Sequence, residues 1–380
     1  MNGKVYKLIV TTVFGLEAVV KRELKDLGYE NLKVDDGKIE LEGNSEDIAI
    51  LNMKLRCAER VLIKVGEFKA LSFEELFDKT YDLPWEEFIT EDGEFPVEGK
   101  SVKSKLFSIS DCQSICKKAI VDKLKSVYKR DWFNEDGPLF KTEVSLLKDI
   151  ATLTIDTSGA GLHKRGYRNR AGDAPLKETL AAAMILLSYW NPSRTLYDPF
   201  CGSGTILIEA AMIGKNIAPG IDREFVSQTW PYVGEEIFKE VRMRCLSEID
   251  HDIKLDLLGS DIDKRSILRA RDNAENIGVK EDIQFFMKDM RDVDLKDNYG
   301  VVITNPPYGE RLGEKKEVEK LYKDFGKKFR KFETWSIYLI TSYERFESLI
   351  GKKANRKRKL YNGRIKVDYY QYYGPRPPKS

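Results

Sequence analysis

Beyond residue 175 the chain alternates stretches of helical spacing with short apolar strands, an order that restricts it to a mostly parallel sheet covered by helices on both faces. A helix over 176–190 leads into the strand Thr195-Leu196-Tyr197, and a helix over 206–213 follows. Further strands are expected at 255–258, 283–286, 301–304 and 336–341. The last residue of each strand carries the most information, because ligands of open α/β sheets gather at the carboxyl ends of the strands. The segment from Arg358 to Tyr370 is two runs around Asn362-Gly363, which predicts an antiparallel hairpin at the edge of that sheet.

The first 160 residues follow a different plan. Strands at 6–10, 38–42 and 61–65 are interleaved with helices at 16–24 and 45–55, the second helix opening on the capping residue Ser45. A helix at 73–77, a strand at 95–97, a helix at 110–128 and strands at 140–144 and 151–155 follow. The expected division is a small α+β unit over 1–65, a second over 66–160 and the α/β unit over 161–380. The Gly-rich, basic stretch 159–174 forms the junction.

Composition narrows the function classes. Five cysteines show no repeated pair spacing and only two histidines are present, so a zinc site or other metal centre is not expected. Cys112 and Cys116, one helical turn apart, read as helix positions facing a core. No long uncharged apolar run suits a membrane span, and the first residues lack the layout of a secretion signal, so a cytoplasmic location is expected. The 64 basic residues are nearly balanced by 62 acidic ones, but the cations cluster. Lys164, Arg165, Arg168 and Arg170 form one group, and Lys352, Lys353, Arg356, Lys357, Arg358 and Lys359 another. Phosphate contact is expected if these groups flank a base-sized pocket.

The chemistry concentrates at four strand ends. Asp198-Pro199-Phe200-Cys201-Gly202-Ser203-Gly204-Thr205 couples an acid to glycines that let the backbone turn tightly beside a ligand. The third glycine of a dinucleotide fingerprint is replaced by Leu207, and no phosphate-cradling Lys-Ser/Thr follows, so a dehydrogenase and a nucleoside triphosphatase are both disfavoured. S-adenosylmethionine asks for less, and Asp198 is suited to its ammonium group. Asp261 is expected to accept the ribose hydroxyls and Asp289 the adenine amine, while Asp263 caps the helix that follows. Phe200, Ile262 and Met290 complete the expected cofactor lining. After the strand 301–304, Asn305-Pro306-Pro307-Tyr308 presents an amide and a proline carbonyl as two acceptors for the two N–H donors of an exocyclic base amine. Tyr308 adds a ring on which that base can stack.

The Asp198–Thr205 motif followed downstream by Asn305-Pro306-Pro307-Tyr308-Gly309-Glu310-Arg311 resembles the THUMP-containing RNA guanine-N2 methyltransferases. Leu162-His163-Lys164-Arg165-Gly166-Tyr167-Arg168 and Asn216-Ile217-Ala218-Pro219-Gly220, with Arg223, Phe225 and Trp230, are similar to the bacterial branch acting on 23S ribosomal RNA. The resemblance implies a class I, Rossmann-like methyltransferase domain with a seven-stranded, mostly parallel sheet, preceded by ferredoxin-like and THUMP domains. It also implies S-adenosylmethionine as cofactor and RNA as partner, with Asn305, Pro306 and Tyr308 catalytic and Asn305 also beside the cofactor. Lys164, Arg165, Arg168, Arg170 and Arg311 are the expected RNA contacts. The long gap between Asp198 and Asp261 is shared with that family.

The same clamp suits the N6 amine of adenine, and transfer RNA is an alternative substrate. A non-catalytic RNA-binding assembly factor is the alternative of a different class. The catalytic unit is expected to stay folded, with weaker RNA binding, when residues 1–160 are removed.

Overall fold

The computed structural model describes residues 3–168, 176–295, 299–309 and 315–378. Two seven-stranded sheets organise it. The first uses β1 (Tyr6–Thr12), β2 (Lys33–Asp35), β3 (Lys38–Gly43), β4 (Ala58–Lys69), β5 (Val97–Val102), β6 (Thr142–Leu147) and β7 (Ile150–Asp156). Its helices are α1 (Glu17–Asp26), α2 (Ser45–Lys54), α3 (Phe73–Tyr81) and α4 (Ile109–Tyr128). The strand order is β2-β3-β1-β4-β7-β6-β5, so the two N-terminal units share one sheet, and β4 passes through residues 65 and 66 without a break. The cap of α2 lies one residue before the expected Ser45. Asn44 accepts from the N–H groups of Glu46 and Asp47 while Asp47 accepts from the Asn44 N–H, which leaves the Ser45 hydroxyl to donate to the Tyr232 carbonyl. Cys112 and Cys116 are both buried on α4.

The second sheet comprises β8 (Leu196–Asp198), β9 (Leu257–Asp261), β10 (Ile283–Met287), β11 (Val301–Thr304), β12 (Ser336–Thr341), β13 (Arg356–Asn362) and β14 (Ile365–Tyr372). Its helices are α5 (Glu178–Leu186), α6 (Thr205–Gly214), α7 (Glu235–Ser247), α8 (Lys264–Asn276), α9 (Lys315–Phe329) and α10 (Phe346–Ile350). Strand order is β10-β9-β8-β11-β12-β14-β13; the first five run parallel and β14 is antiparallel to both its neighbours. Helix α5 stops at Leu186 rather than at 190, and the Trp190 indole N–H instead donates to the Arg194 carbonyl. The hairpin turn centres on Gly363-Arg364, one residue later than the Asn362-Gly363 reading, because Asn362 pairs with Ile365 and Gly363 takes the left-handed φ of 62°.

The long gap between Asp198 and Asp261 has a structural purpose. After α6 the chain crosses onto the first sheet: Gly220 N–H bonds the Met53 carbonyl, and a Cβ on Gly220 would lie 2.9 Å from Met53 Cα. Trp230 is fully buried, stacked on Phe140, with its indole N–H on the Leu139 carbonyl. Arg223 donates to the carbonyls of Ala160 and Gly161. Removal of residues 1–160 would strip these apolar faces and leave buried donors unpaired. These contacts speak against the expectation that the catalytic unit stands alone, and a loss of its stability on truncation is the expected outcome.

Candidate active site

The order β9-β8-β11 places the reversal of strand order between β8 and β11, the position where ligands of such sheets gather at the carboxyl ends of the strands. Asp198 ends β8, and Thr304 ends its neighbour β11 immediately before Asn305. The Thr304 hydroxyl donates to Asp198 Oδ1 at 2.6 Å, tying the two motifs together, and the Phe200 N–H donates to the same oxygen at 3.1 Å. Sequence reasoning passed over Thr304. Its signal was a polar residue closing an otherwise apolar strand. Asp198 is only 2 % exposed, and burial pushes its carboxyl up to about 7 despite these two donors. Among the described residues no cation is among the causes acting on it, so this environment suits a positively charged group.

Asp261 ends β9 and faces the glycine turn. Its Oδ2 accepts from Gly202 N–H at 3.0 Å and its Oδ1 from Asp263 N–H at 2.9 Å, leaving lone pairs on both oxygens. Asp263 is the N-cap of α8, accepting from the Arg265 and Ser266 N–H groups. The next residue after Asp261, Ile262, is 72 % exposed, an apolar surface just past the end of β9. Asp289 is gripped by Arg291, whose backbone N–H and Nε reach Oδ1 and whose Nη2 reaches Oδ2 at 2.6 Å. That grip lowers the Asp289 carboxyl below its usual range. Met290 is buried, clustered with Tyr197 and Val293.

The two glycines of the turn, read alike from the sequence, differ in structure. Gly202 has φ 54°, and among the described residues nothing lies within 4 Å of a hypothetical Cβ except the Phe200 carbonyl at 4.0 Å, so its face is open toward them. Gly204 has φ 81°, caps α6, and would drive a Cβ to 3.0 Å from the Phe285 ring and 3.1 Å from Ala270 Cβ. Gly202 makes a cradle; Gly204 permits packing. The Ser203 carbonyl is held by Asn273 Nδ2, and the Ser203 hydroxyl lies 3.2 Å from that of Thr205. An open glycine face beside unfilled carboxylate acceptors fits an amino-acid and ribose-bearing cofactor.

At the clamp, Tyr308 donates its hydroxyl to Asn305 Oδ1 at 2.6 Å, which fixes the amide relative to the ring. The Pro307 carbonyl is anchored by Tyr322, whose hydroxyl also meets Thr341 at 2.8 Å. Pro306 is buried, and Asn305 and Tyr308 are half-buried. Both prolines deny the loop a competing N–H.

The expected RNA contacts divide. Lys164 is exposed. Arg165 is 1 % exposed and cannot meet RNA: it pairs with the fully buried Glu209 of α6 at 3.2 Å and donates to the Leu162 and Arg56 carbonyls. It staples the first sheet to the catalytic unit. Arg168 also turns inward, pairing with Glu178 at 3.1 Å and donating to the Thr205 hydroxyl and the Leu176 carbonyl. Their sequence context suggests a basic surface; burial takes Arg165 out of it, and the inward partners of half-buried Arg168 occupy its guanidinium. Arg170 and Arg311 lie outside the described residues.

Comparison with known proteins agrees with this geometry. Residues 165–371 match an RMKL-like methyltransferase domain, residues 7–62 the RlmL ferredoxin-like domain and residues 70–156 the THUMP domain. The chain is 52 % identical over 378 residues to YpsC of Bacillus subtilis (strain 168), whose name proposes an RNA methyltransferase, covering 99 % of this chain and 98 % of that protein. Among solved structures, a protein from Listeria monocytogenes described as a predicted N6-adenine-specific DNA methylase is 51 % identical. The match has a TM-score of 0.94 and covers 98 % of this chain and 97 % of that one. SMU.472, a proposed methyltransferase solved in complex with SAH, is 47 % identical with a TM-score of 0.93, covering 99 % and 100 % of the two chains. With ferredoxin-like and THUMP domains ahead of its α/β catalytic domain, the chain belongs to the RMKL-like methyltransferase family.

Proposed function

We propose that the protein methylates the exocyclic N2 of a guanine in 23S ribosomal RNA, with S-adenosylmethionine as methyl donor. The observation that carries this reading is the Thr304–Asp198 hydrogen bond, which sets the amine clamp beside the acid suited to the donor's ammonium. The SAH found with SMU.472 is the demethylated form of that donor. In this reading residues 1–65 and 66–160 engage RNA and residues 161–380 carry catalysis.

S-adenosylmethionine, when bound, supplies a methyl group already made electrophilic by the sulfonium. The chain's part is alignment and desolvation. Asp198, ionised, would hold the ammonium group, Gly202 would admit the amino-acid moiety, and Asp261 would accept the ribose hydroxyls with its remaining lone pairs. Phe200, Gly204 and Thr205 shape the turn around that group, and Ser203 faces it. Ile262 offers an apolar face for the adenine, and Asp289 retains an acceptor for its amine beside Arg291. Asn305 and the Pro306 carbonyl would take the two hydrogens of the guanine N2 amine, turning its lone pair toward the methyl group. Tyr308 would stack on the extruded base, offsetting part of an unstacking cost of a few kcal/mol. The proton released by the amine leaves to solvent, and no histidine is needed.

Purified protein, labelled methyl donor and unmodified 23S ribosomal RNA test this directly, with digestion of the product to nucleosides. Label in N2-methylguanosine is expected. Label in N6-methyladenosine would overturn the choice of base, because the clamp accepts either amine; label confined to transfer RNA would overturn the choice of RNA.

A further inference from the structure

We propose that the tip of the β13–β14 hairpin, together with the loop at Phe14, docks a single-stranded segment of RNA flanking the target base, an inference that rests on the RNA-methyltransferase reading. The register sets the geometry. Pairing of β12 with β14 ends at Thr341–Asp368, yet β13 and β14 continue through Leu360–Val367, Tyr361–Lys366 and Asn362–Ile365. Three residue pairs therefore project by roughly 10 Å beyond β12. They project on the side of the sheet where β11 delivers Asn305, since β11 and β12 are parallel. Laterally, β14 and β13 lie two and three strand spacings from β11, roughly 10 to 14 Å. That is the reach of a few nucleotides.

The projection is braced rather than free. Its inner face, Leu360 and Val367, is buried, and the Gly15 backbone rests against it. A Cβ on Gly15 would lie 2.9 Å from the Lys359 carbonyl and 3.5 Å from Leu360 Cδ2. The outer face carries Lys359, Tyr361 and Lys366, because directly paired residues share a face. The Phe14 ring, 51 % exposed, meets Tyr361 edge-on at 6.3 Å. Asp368, on the same face, is occupied by Lys357 at 2.9 Å. Among the described residues no carboxylate lies within ion-pairing distance of Lys359, Arg364 or Lys366. Open aromatic faces between unpaired cations are the chemistry of single-strand recognition, in which bases stack and lysines neutralise phosphates. Charged residues on an edge strand also guard against strand-to-strand aggregation, and the test separates the two roles.

The full-length protein is titrated with a short single-stranded oligouridylate across a salt series, as Phe14→Ala and as Lys359→Gln/Lys366→Gln. Phe14→Ala is expected to weaken binding roughly five- to tenfold. The double variant is expected to make the log–log salt slope shallower by about 1.4, two phosphate contacts at 0.7 each. Melting temperature and SAH affinity stay as in the parent. Unchanged affinity and slope in both variants would overturn the proposal, as would a double variant that self-associates while binding RNA normally. No methyl transfer is read, so an error over guanine leaves the result intact, and failure here leaves the methylation reading standing.

Discussion

Arg165–Glu209 and Asp198–Thr304 each withdraw an ionisable carboxyl from water, near the same helix α6, and they are finished differently. Glu209 is fully buried, yet both its oxygens face Arg165, whose other donors reach the Leu162 and Arg56 carbonyls. Every partner comes from the chain. Asp198 is buried nearly as deeply but among the described residues receives only a hydroxyl and one N–H, and its carboxyl rises to about 7. The first arrangement closes on itself and holds two units together; the second has no cationic partner among the described residues. A buried charge left unfinished by its own fold marks a binding site more reliably than a cluster of cations in sequence.

Substitution of Arg165 gives the largest expected effect. Arg165→Ala leaves Glu209 charged and unpaired inside the protein, a loss of about 3–5 kcal/mol in chemical denaturation. RNA affinity per folded molecule should be unchanged. A stable Arg165→Ala protein with weakened RNA binding would reverse the contrast and return Arg165 to the surface role its sequence suggested.

That reversal is instructive about what sequence can carry. The alternation of helix and strand after residue 175, the four strand ends and the edge hairpin were legible because local patterning dictates them. Asp198, Asp261 and Asn305 converge because β9, β8 and β11 are neighbours, and the shared plan of such sheets foretold this. Arg165 and Arg168 were misjudged because burial is a tertiary property: Glu209 lies 44 residues from Arg165. Thr304 was overlooked because its partner is 106 residues distant. The merging of both N-terminal units into one sheet depends on β4 pairing β1 on one edge and β7 on the other, which no local signal announces.

Asn305→Ala tests the open side next. Turnover is expected to fall on the order of a hundredfold or more, the scale seen when one preorganised polar group is removed from a reacting centre. SAH affinity measured by calorimetry should stay near the parent value. Loss of both together would move Asn305 from the amine to the cofactor.

Asp261→Ala should act in the opposite sense, weakening SAH binding by roughly ten- to a hundredfold, the range of one charge-assisted hydrogen-bond partner. An unchanged dissociation constant would remove the ribose assignment.

The smallest effect is that of pH. The folded Asp198 carboxyl sits near 7, above its ordinary 3.8, so the stability it contributes is complete below about 3.8 and is lost as pH rises through about 7. A bound ammonium favours the ionised form, so cofactor affinity should rise with pH, by at most about tenfold per unit below 7, and level off above it. Calorimetry in buffers of different ionisation enthalpy should register proton release near pH 6. Affinity independent of pH between 5 and 8 would mean that Asp198 does not meet the ammonium.

The most direct measurement is mass mapping of methylated nucleosides in ribosomal and transfer RNA from a strain lacking the gene, complemented with the parent protein or with Asn305→Ala. One N2-methylguanosine of 23S ribosomal RNA should disappear, return with the parent and stay absent with Asn305→Ala. Loss of an N6-methyladenosine instead, or restoration of the mark by Asn305→Ala, would contradict the assignment.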